Sequence, residues 1–298
     1  MEKRVIAIGF FDGAHLGHGG LLKMARKRAD ELGCKAAVMT FDRHPSVVLT
    51  GKSKPLISGR RDREYLIKHL YGIDEVIFAH FGYATMNMHW LQFLEDCLIQ
   101  DLNAVHLICG IDFTFGRGGE GKSWMLKEAC ERMQTGCDVI EEISLDKIPI
   151  HSTLIRGLLL QGRIEDANRY LGHPHCLCGY VTTGKQLGRT IGVPTANIPI
   201  PPNVLVLPKG VYVTKVMAEG KLYNAVTNIG CCPTVVEGAP LMVEPWILDF
   251  SGDLYGKEIR VFFYKKLRNE KKFPSMEALM EQIHLDAEAT RAYFAEKE

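Results

Sequence analysis

Two histidines three residues apart, His15 and His18, stand directly behind an apolar run and a glycine-bearing turn. Val5-Ile6-Ala7-Ile8, then Gly9-Phe10-Phe11-Asp12-Gly13, then His15-Leu16-Gly17-His18 reads as a strand, a tight turn and the start of a helix. Such a corner gathers backbone N–H groups and the positive end of a helix dipole, and both favour an anion. At i and i+3 the two imidazoles share one side of the first helical turn and can donate hydrogen bonds to phosphate oxygens. Gly13 and Gly17 remove side chains where a nucleotide would come close. The chemistry that suits this spacing is the binding of a nucleoside triphosphate.

Three further stretches carry residues of the same kind. In Gly184-Lys-Gln-Leu-Gly-Arg-Thr-Ile-Gly-Val-Pro-Thr-Ala-Asn197, Gly184, Gly188 and Gly192 let a loop wrap closely over phosphates. Lys185 and Arg189 can offset their charge, and Thr195 and Asn197 are hard oxygen donors of the type magnesium takes. Spacing alone fits a plain barrel loop equally well. Gly116 to Ser123 matches the phosphate-loop pattern G-x-x-x-x-G-K-[ST]. Against that match, the preceding strand ends near Cys109, Phe-Thr-Phe intervenes, and no apolar run of four ending in Asp supplies a second magnesium-binding acid. Pro149-Ile150-His151-Ser152-Thr153-Leu154-Ile155-Arg156 heads a helical stretch with Ser152 or Thr153 at the N-cap, and capping alone accounts for the two hydroxyls.

The elements that would position these residues fall into two textures. Up to about residue 145, strand-like runs at 5–8, 36–41, 75–81, 104–109 and 138–143 alternate with helical stretches at 20–32, 61–71, 90–101 and 124–134. That alternation predicts an α/β domain, a doubly wound parallel sheet with helices on both faces and ligands at the carboxyl ends of its strands. His15 and His18 lie at such an end, as do the loops of Thr40 to Pro45 and Gly110 to Gly116. A closing helix over 163–171 is stopped by Gly172-His173-Pro174, which places a domain boundary between 1–173 and 174–298. Beyond it, short β-rich runs at 177–182, 210–218, 222–228, 246–250 and 258–264 predict an antiparallel β-barrel, followed by a terminal helix over 276–294.

Composition excludes several classes. With 36 basic and 35 acidic residues among 298, the net charge of +1 gives no global field for nucleic acid or an anionic membrane. No apolar stretch approaches the roughly 20 residues that span a bilayer. The N-terminal apolar run breaks at Asp12, too early for a signal peptide. Nine cysteines, with no Cys-x-x-Cys pair, read as thiols in a reducing cytoplasm rather than a disulfide framework or a zinc site.

Gly-x-Phe-Asp-Gly-x-His-x-Gly-His at the end of the first strand resembles the nucleotidyltransferase signature of the bacterial bifunctional riboflavin kinase/FMN adenylyltransferase family. Thr40-Phe-Asp-Arg-His-Pro45, Gly110-Ile-Asp-Phe-Thr-Phe-Gly116 and the Ser152-Thr153-x-x-Arg156 segment are similar to further segments of its first half. Gly184 to Asn197, Pro208 to Tyr212, Asn228 to Thr234 and Leu248 to Gly256 resemble its kinase half, in order. The resemblance covers essentially the full chain. It implies ATP and phosphate contacts at Gly9, Phe11, Asp12, Gly17, Ser152, Thr153, Lys185, Gly188, Arg189 and Gly192. It implies charge stabilisation by His15, His18 and Arg156, and flavin contacts at Asp42, His44, Asp112 and Phe113. Thr195 and Asn197 would hold Mg²⁺, and Glu244 would be the base that takes the proton of the ribityl hydroxyl. Arg43, His151 and Pro245 depart from the family pattern.

The expected activity is therefore double: riboflavin is phosphorylated by ATP to FMN, and FMN is adenylylated by a second ATP to FAD with release of pyrophosphate. The expected partners are these small molecules, in a cytoplasmic monomer or weak homo-oligomer. The alternatives are a chain with one live half, its kinase impaired around Pro245; a flavin-binding protein that catalyses neither step; and a phosphate-loop NTPase at Gly116 to Ser123.

Overall fold

The computed structural model describes residues 2–43, 54–183, 192–231 and 241–297. It divides into two compact units, Met1–Leu56 with Arg63–Ser152, and Ile57–Asp62 with Thr153–Glu298.

The first unit is organised on β1 (Arg4–Ile8), whose Val5, Ile6, Ala7 and Ile8 are all buried. A strand that is apolar at every position belongs in the middle of a parallel sheet, covered on both faces. It pairs in parallel with β2 (Lys35–Phe41) on one side and β4 (Ala104–Gly110) on the other. β3 (Glu75–Ala79) and β5 (Gly136–Ile140) complete the order β3-β2-β1-β4-β5. The chain leaves β1 in one direction for β2 and β3, then crosses back for β4 and β5. The connections at the carboxyl ends of β1 and β4 therefore diverge and leave a crevice between them. The connecting helices include α1 (Leu16–Leu32), α2 (Arg60–Tyr71) and α3 (Ser123–Arg132). α1 buries Leu22, Ala25 and Ala29 and stops at Gly33, whose left-handed φ of 62° suits a glycine cap.

Two predicted elements differ in detail. The helix expected over 90–101 is present, but from Phe93–Asp101 it is wound as a π-helix with Leu94 and Leu98 fully buried. The fifth strand runs Gly136–Ile140 rather than 138–143, and a side chain at Gly136 would run into the ring of His106 on β4, so the strand passes that ring with a glycine.

The second unit begins with α4 (Ser152–Leu160), of which Ser152 itself counts with the first unit, and α5 (Ile164–Leu171). Then come β6 (His175–Tyr180), β7 (Ile198–Pro199), β8 (Gly210–Ala218), β9 (Lys221–Cys231), β10 (Leu241–Ile247) and β11 (Glu258–Arg268). The sheet order is β6-β11-β8-β9-β10-β7, antiparallel throughout. Thr182, just past β6, donates its backbone N–H to the Asn197 carbonyl at 2.8 Å, and this bridge brings the two edges together and nearly closes the barrel. Near-closure leaves less exposed edge than an open sheet of this size would present. Inside, Tyr212, Thr214, Thr227, Val261 and Phe263 are buried, and the Thr214 and Thr227 hydroxyls pair at 2.7 Å. α6 (Met276–Ala295) is capped by the Ser275 hydroxyl, which accepts from the Ala278 N–H. The strand expected over 246–250 is displaced: β10 ends at Ile247, and Asp249 turns the chain at a φ of 58°. Among the described residues no helix is long and apolar enough to cross a membrane.

Candidate active sites

The carboxyl ends of β1, β4 and β5 open into a cleft of about 720 Å³. Gly9, Phe11, His15, Gly17 and His18 line it from the first connection, Asp112 and Phe113 from the fourth strand's, and Ser152 from the start of α4. The turn that enters α1 is strained. Phe11 and Ala14 take left-handed φ values of 56° and 41° beside Gly13 at 78°, and all three are buried. Non-glycine residues persist in that region only where their surroundings hold them there.

His15 is the N-cap of α1 rather than a residue of its first turn, and its ring stacks on His18 at 3.6 Å between centroids. The Ser152 hydroxyl donates to the Asp12 carbonyl at 3.2 Å, which leaves its oxygen to accept from His15 Nε2 at 3.2 Å. Asp12 is buried beneath the cleft and takes part through that carbonyl. His18 is held well below its ordinary pKa by burial first, then by the nearby His15 and Arg63, so at neutral pH it is a neutral imidazole. Its Nδ1 is buried with no hydrogen-bond partner, which favours the tautomer whose proton is on Nε2. Gly17 is where a side chain cannot stand: its Cβ would lie 2.9 Å from the Ile150 carbonyl and 3.0 Å from the His15 ring. Gly17→Ala is therefore expected to push His15 off its Ser152 partner and lower nucleotide turnover in this cleft by about tenfold or more, readable as a fall in kcat at saturating ATP.

A second pocket of about 300 Å³ adjoins the cleft and shares Phe113 and Thr114 with it. Its wall is aromatic: Phe41, Phe81, Phe93, Phe113 and Phe115, with Phe113 and Phe115 stacked at 5.3 Å. Phe113 was singled out in the sequence and Phe41 and Phe115 stand within the quoted motifs, but Phe81 and Phe93 carried no signal, because an aromatic residue at a strand end looks the same whether it faces a core or a ligand. Asp42 behaves otherwise than expected. Burial alone would raise its pKa, but the Phe81 backbone N–H at 3.1 Å and the His80 imidazole at 2.8 Å hold it below the usual carboxylate range. It lines neither cavity. Thr153 and Arg156 follow Ser152 along α4 but are not among the residues that line the cleft. His44, Lys185, Gly188 and Arg189 lie outside the described residues.

Gly116 to Ser123 does not form a phosphate loop. Thr114–Phe115 pairs antiparallel with Gly121–Lys122, making a small hairpin between β4 and α3. Lys122 Nζ donates back to the Gly119 carbonyl at 2.7 Å, and Ser123 Oγ to the Ile111 carbonyl at 2.7 Å. Gly116 and Gly121 are small because Trp90 packs against both. The pattern's glycines answer to packing and turn geometry.

In the barrel, register assembles a second constellation. Asn228 on β9 stands opposite Glu244 on β10 and donates Nδ2–H to its carboxylate at 3.2 Å. The pairings Ile198 with Val243 and Thr195 with Trp246 put Asn197 opposite the other side of Glu244. Asn197, Glu244 and Asn228 thus form one cross-strand row, and Thr195, two residues before Asn197, shares its face. Thr195 also lines a pocket of about 260 Å³ with Val181, Ile247 and Tyr255. Gly192 is described, at a φ of 73°. Burial raises the Glu244 pKa, Asn228 opposes the shift, and the neighbouring Glu270 adds to it. Asn228 was quoted in the sequence only as part of a motif; its place in the row comes from the register.

Pro245 does not displace Glu244. β9 and β10 keep an unbroken register from Ala225 to Cys231, and the Pro245 carbonyl accepts from the Ala196 N–H at 3.0 Å. Its ring nitrogen faces the same side as that carbonyl, toward 195–199, where the pairing is only two residues and a bridge long. That is the edge position at which a strand tolerates proline.

Known proteins match this architecture in full. The family model described as FAD synthetase matches residues 1–154, and the one described as riboflavin kinase matches residues 171–294. The bifunctional riboflavin kinase/FMN adenylyltransferase of Bacillus subtilis is 37% identical over 297 residues, covering 98% of this chain and 93% of its own. The Haemophilus influenzae protein of the same name is 38% identical over 291 residues, covering 97% and 94%. A crystal structure described as a macrolide-efflux protein from Streptococcus pneumoniae superposes with a TM-score of 0.83 at 29% identity, over 98% of this chain and 95% of the other. With tandem domains, full-length relatives and a shared fold, the chain belongs to the bifunctional riboflavin kinase/FMN adenylyltransferase family.

Proposed function

We propose that the two constellations divide the family's two reactions between them: adenylyl transfer in the cleft at β1 and β4, phosphoryl transfer along the Asn197–Glu244–Asn228 row. The enzyme phosphorylates riboflavin to FMN and adenylylates FMN to FAD. The observation that carries the assignment is the separate placement of a phosphate-suited corner on a parallel sheet and a buried carboxylate on a barrel. We take 1–173 as the adenylyltransferase domain and 174–298 as the kinase domain.

In the cleft, ATP would lie across the Gly9–Gly17 corner with its phosphates toward the start of α1. FMN would place its ring among the five phenylalanines of the adjoining pocket, with its phosphate toward Phe113 and Asp112. The FMN phosphate attacks the α-phosphorus, and the bond to pyrophosphate breaks. His18 Nε2–H and the N–H groups of the corner would meet the charge that develops there, with Ser152 keeping His15 in its tautomer. By the family resemblance, Thr153 and Arg156 would be further phosphate ligands. No covalent intermediate is needed.

In the barrel, the ribityl hydroxyl of riboflavin attacks the γ-phosphorus of ATP while Glu244 accepts its proton. Burial raises the Glu244 pKa above its ordinary value, which makes it a stronger base toward the ribityl hydroxyl. The Thr195 hydroxyl and the Asn197 amide oxygen beside a carboxylate are a hard-oxygen set that fits a magnesium ion, with Lys185 and Arg189 as further phosphate ligands. Magnesium held there would neutralise charge on the transferring group. Asn228 would fix the orientation of the base.

Incubation of the protein with riboflavin, ATP and Mg²⁺, with the flavins separated over time, tests the assignment of both reactions to this chain. FMN is expected to rise and then give way to FAD. FMN that accumulates without FAD, or FAD formed only from supplied FMN, would show a chain with one working site.

A further inference from the structure

Arg63, on α2, is 1% exposed and lines neither cavity, yet it touches both halves of the adenylyltransferase site. Its Nη1 donates to the Phe10 carbonyl at 2.8 Å and to the Thr40 hydroxyl at 3.2 Å, and its Nη2 donates to the Phe41 carbonyl at 3.1 Å. The Thr40 hydroxyl in turn donates to the same Phe10 carbonyl at 2.8 Å. The guanidinium lies 4.5 Å above the Phe10 ring and 5.2 Å from that of Phe78. Phe10 lines the nucleotide cleft, and Phe41 lines the aromatic pocket. One planar fork therefore ties the last carbonyl of β1's exit to the last carbonyl of β2, and so ties one cavity wall to the other.

We infer that Arg63 is a positioning residue for adenylyl transfer: it fixes the distance between the subsite for ATP and the subsite for the flavin. The inference rests on the assignment of those two cavities given above. Two features favour it over simple packing. The residue that follows Phe10 is the left-handed Phe11, and such strain is kept only where neighbouring bonds over-determine the backbone. A guanidinium also suits the task in a way that an ammonium does not, because its donors point along fixed, separate directions. Two reactants held in separate pockets react at a rate set by their mutual placement, and an error of about 1 Å can cost about 100-fold.

The test uses the full chain and compares Arg63→Met, Arg63→Lys and His18→Ala. For each, kcat and KM for ATP and FMN are measured in adenylyl transfer, with riboflavin phosphorylation by the same protein as the control on folding. Arg63→Met is expected to lower the adenylyl-transfer kcat by about 100-fold with each KM changed less than about threefold, because both subsites survive while their spacing loosens, and burial and His15 still press the His18 pKa down without the arginine. Arg63→Lys is expected to regain about tenfold of that loss, since it restores one donor but not the fork. Kinase turnover stays within about twofold in both variants. The inference is overturned if either variant adenylylates FMN at close to the normal rate while His18→Ala does not. It is equally overturned if Arg63→Lys loses both activities in the same proportion, which marks a role in folding. If His18→Ala is itself fully active, the fault lies in the assignment of the cleft.

Discussion

Glu244→Gln is expected to lower riboflavin phosphorylation by about 10²- to 10⁴-fold, the usual worth of a positioned base. The substitution keeps the shape of the side chain and an oxygen that can still accept from Asn228 Nδ2–H, so the row across β9 and β10 is preserved. What it removes is the ability to take a proton. Adenylyl transfer, which runs in the other compact unit, is expected to be unchanged. Stability supplies an independent check of the same residue. Burial raises the Glu244 pKa in the fold above its unfolded value, so the charged form is disfavoured on folding. At pH values above the raised pKa that costs stability; below the ordinary carboxylate range both states are protonated and the cost vanishes. The Gln variant is neutral throughout. It should therefore melt no lower than the parent at neutral pH, and the two should converge in acid. Thermal melts at pH 7 and pH 3.5 together with a kinase assay separate loss of a base from loss of a fold. The same raised pKa predicts that the kinase loses rate on the acid side at a higher pH than it would with an unshifted glutamate as base.

His18→Ala is expected to cost about 10²- to 10³-fold in adenylyl transfer, the range for deleting one preorganised donor to a developing negative charge. His18 acts as a neutral donor, since burial, His15 and Arg63 all press its pKa down. The rate should accordingly stay level from pH 8 to pH 6 instead of rising as an ordinary histidine gains its proton near 6.5. A steady climb in kcat toward acid would mean that the imidazolium does the work. Loss of the ring also removes the stacking partner of His15, so the alanine variant reads the pair and not one nitrogen alone. The kinase assay on the same sample should be unaffected.

Much of this architecture was legible in the residues. Val5 to Ile8 could only be a fully buried strand, and a glycine-rich turn with two histidines after it could only be placed at a sheet's carboxyl end. Glycine and proline spacing after Pro174 gave the change from parallel sheet to barrel. What could not be read were facts of register and of distant packing. Asn197, Glu244 and Asn228 are far apart in sequence and meet because three strands align by particular residues. Pro245 looked disruptive because its effect depends on which side of β10 its nitrogen faces, and only the neighbouring strand decides that. The phenylalanine pocket was legible only in part: Phe41, Phe113 and Phe115 stand in quoted motifs, while Phe81 and Phe93 were not to be found, because apolar residues at strand ends serve cores and ligands alike. Arg63 gave no signal either: in Arg60-Arg61-Asp62-Arg63 it reads as one cation on a solvated helix start, yet it is among the largest fully buried side chains of the chain.

The central claim is that two separate sites on this chain carry the two steps. The most direct measurement is a mixing experiment with Glu244→Gln and His18→Ala, each a full chain, given riboflavin, ATP and Mg²⁺. Alone, the first should form FMN at least about 100-fold more slowly than the parent, and the second should accumulate FMN while forming FAD at least about 100-fold more slowly. Mixed in equal amounts, they should make FAD, because FMN released from one chain's barrel can enter the other chain's cleft. FMN formed by Glu244→Gln at the normal rate, or FAD formed by His18→Ala at the normal rate, would contradict the assignment.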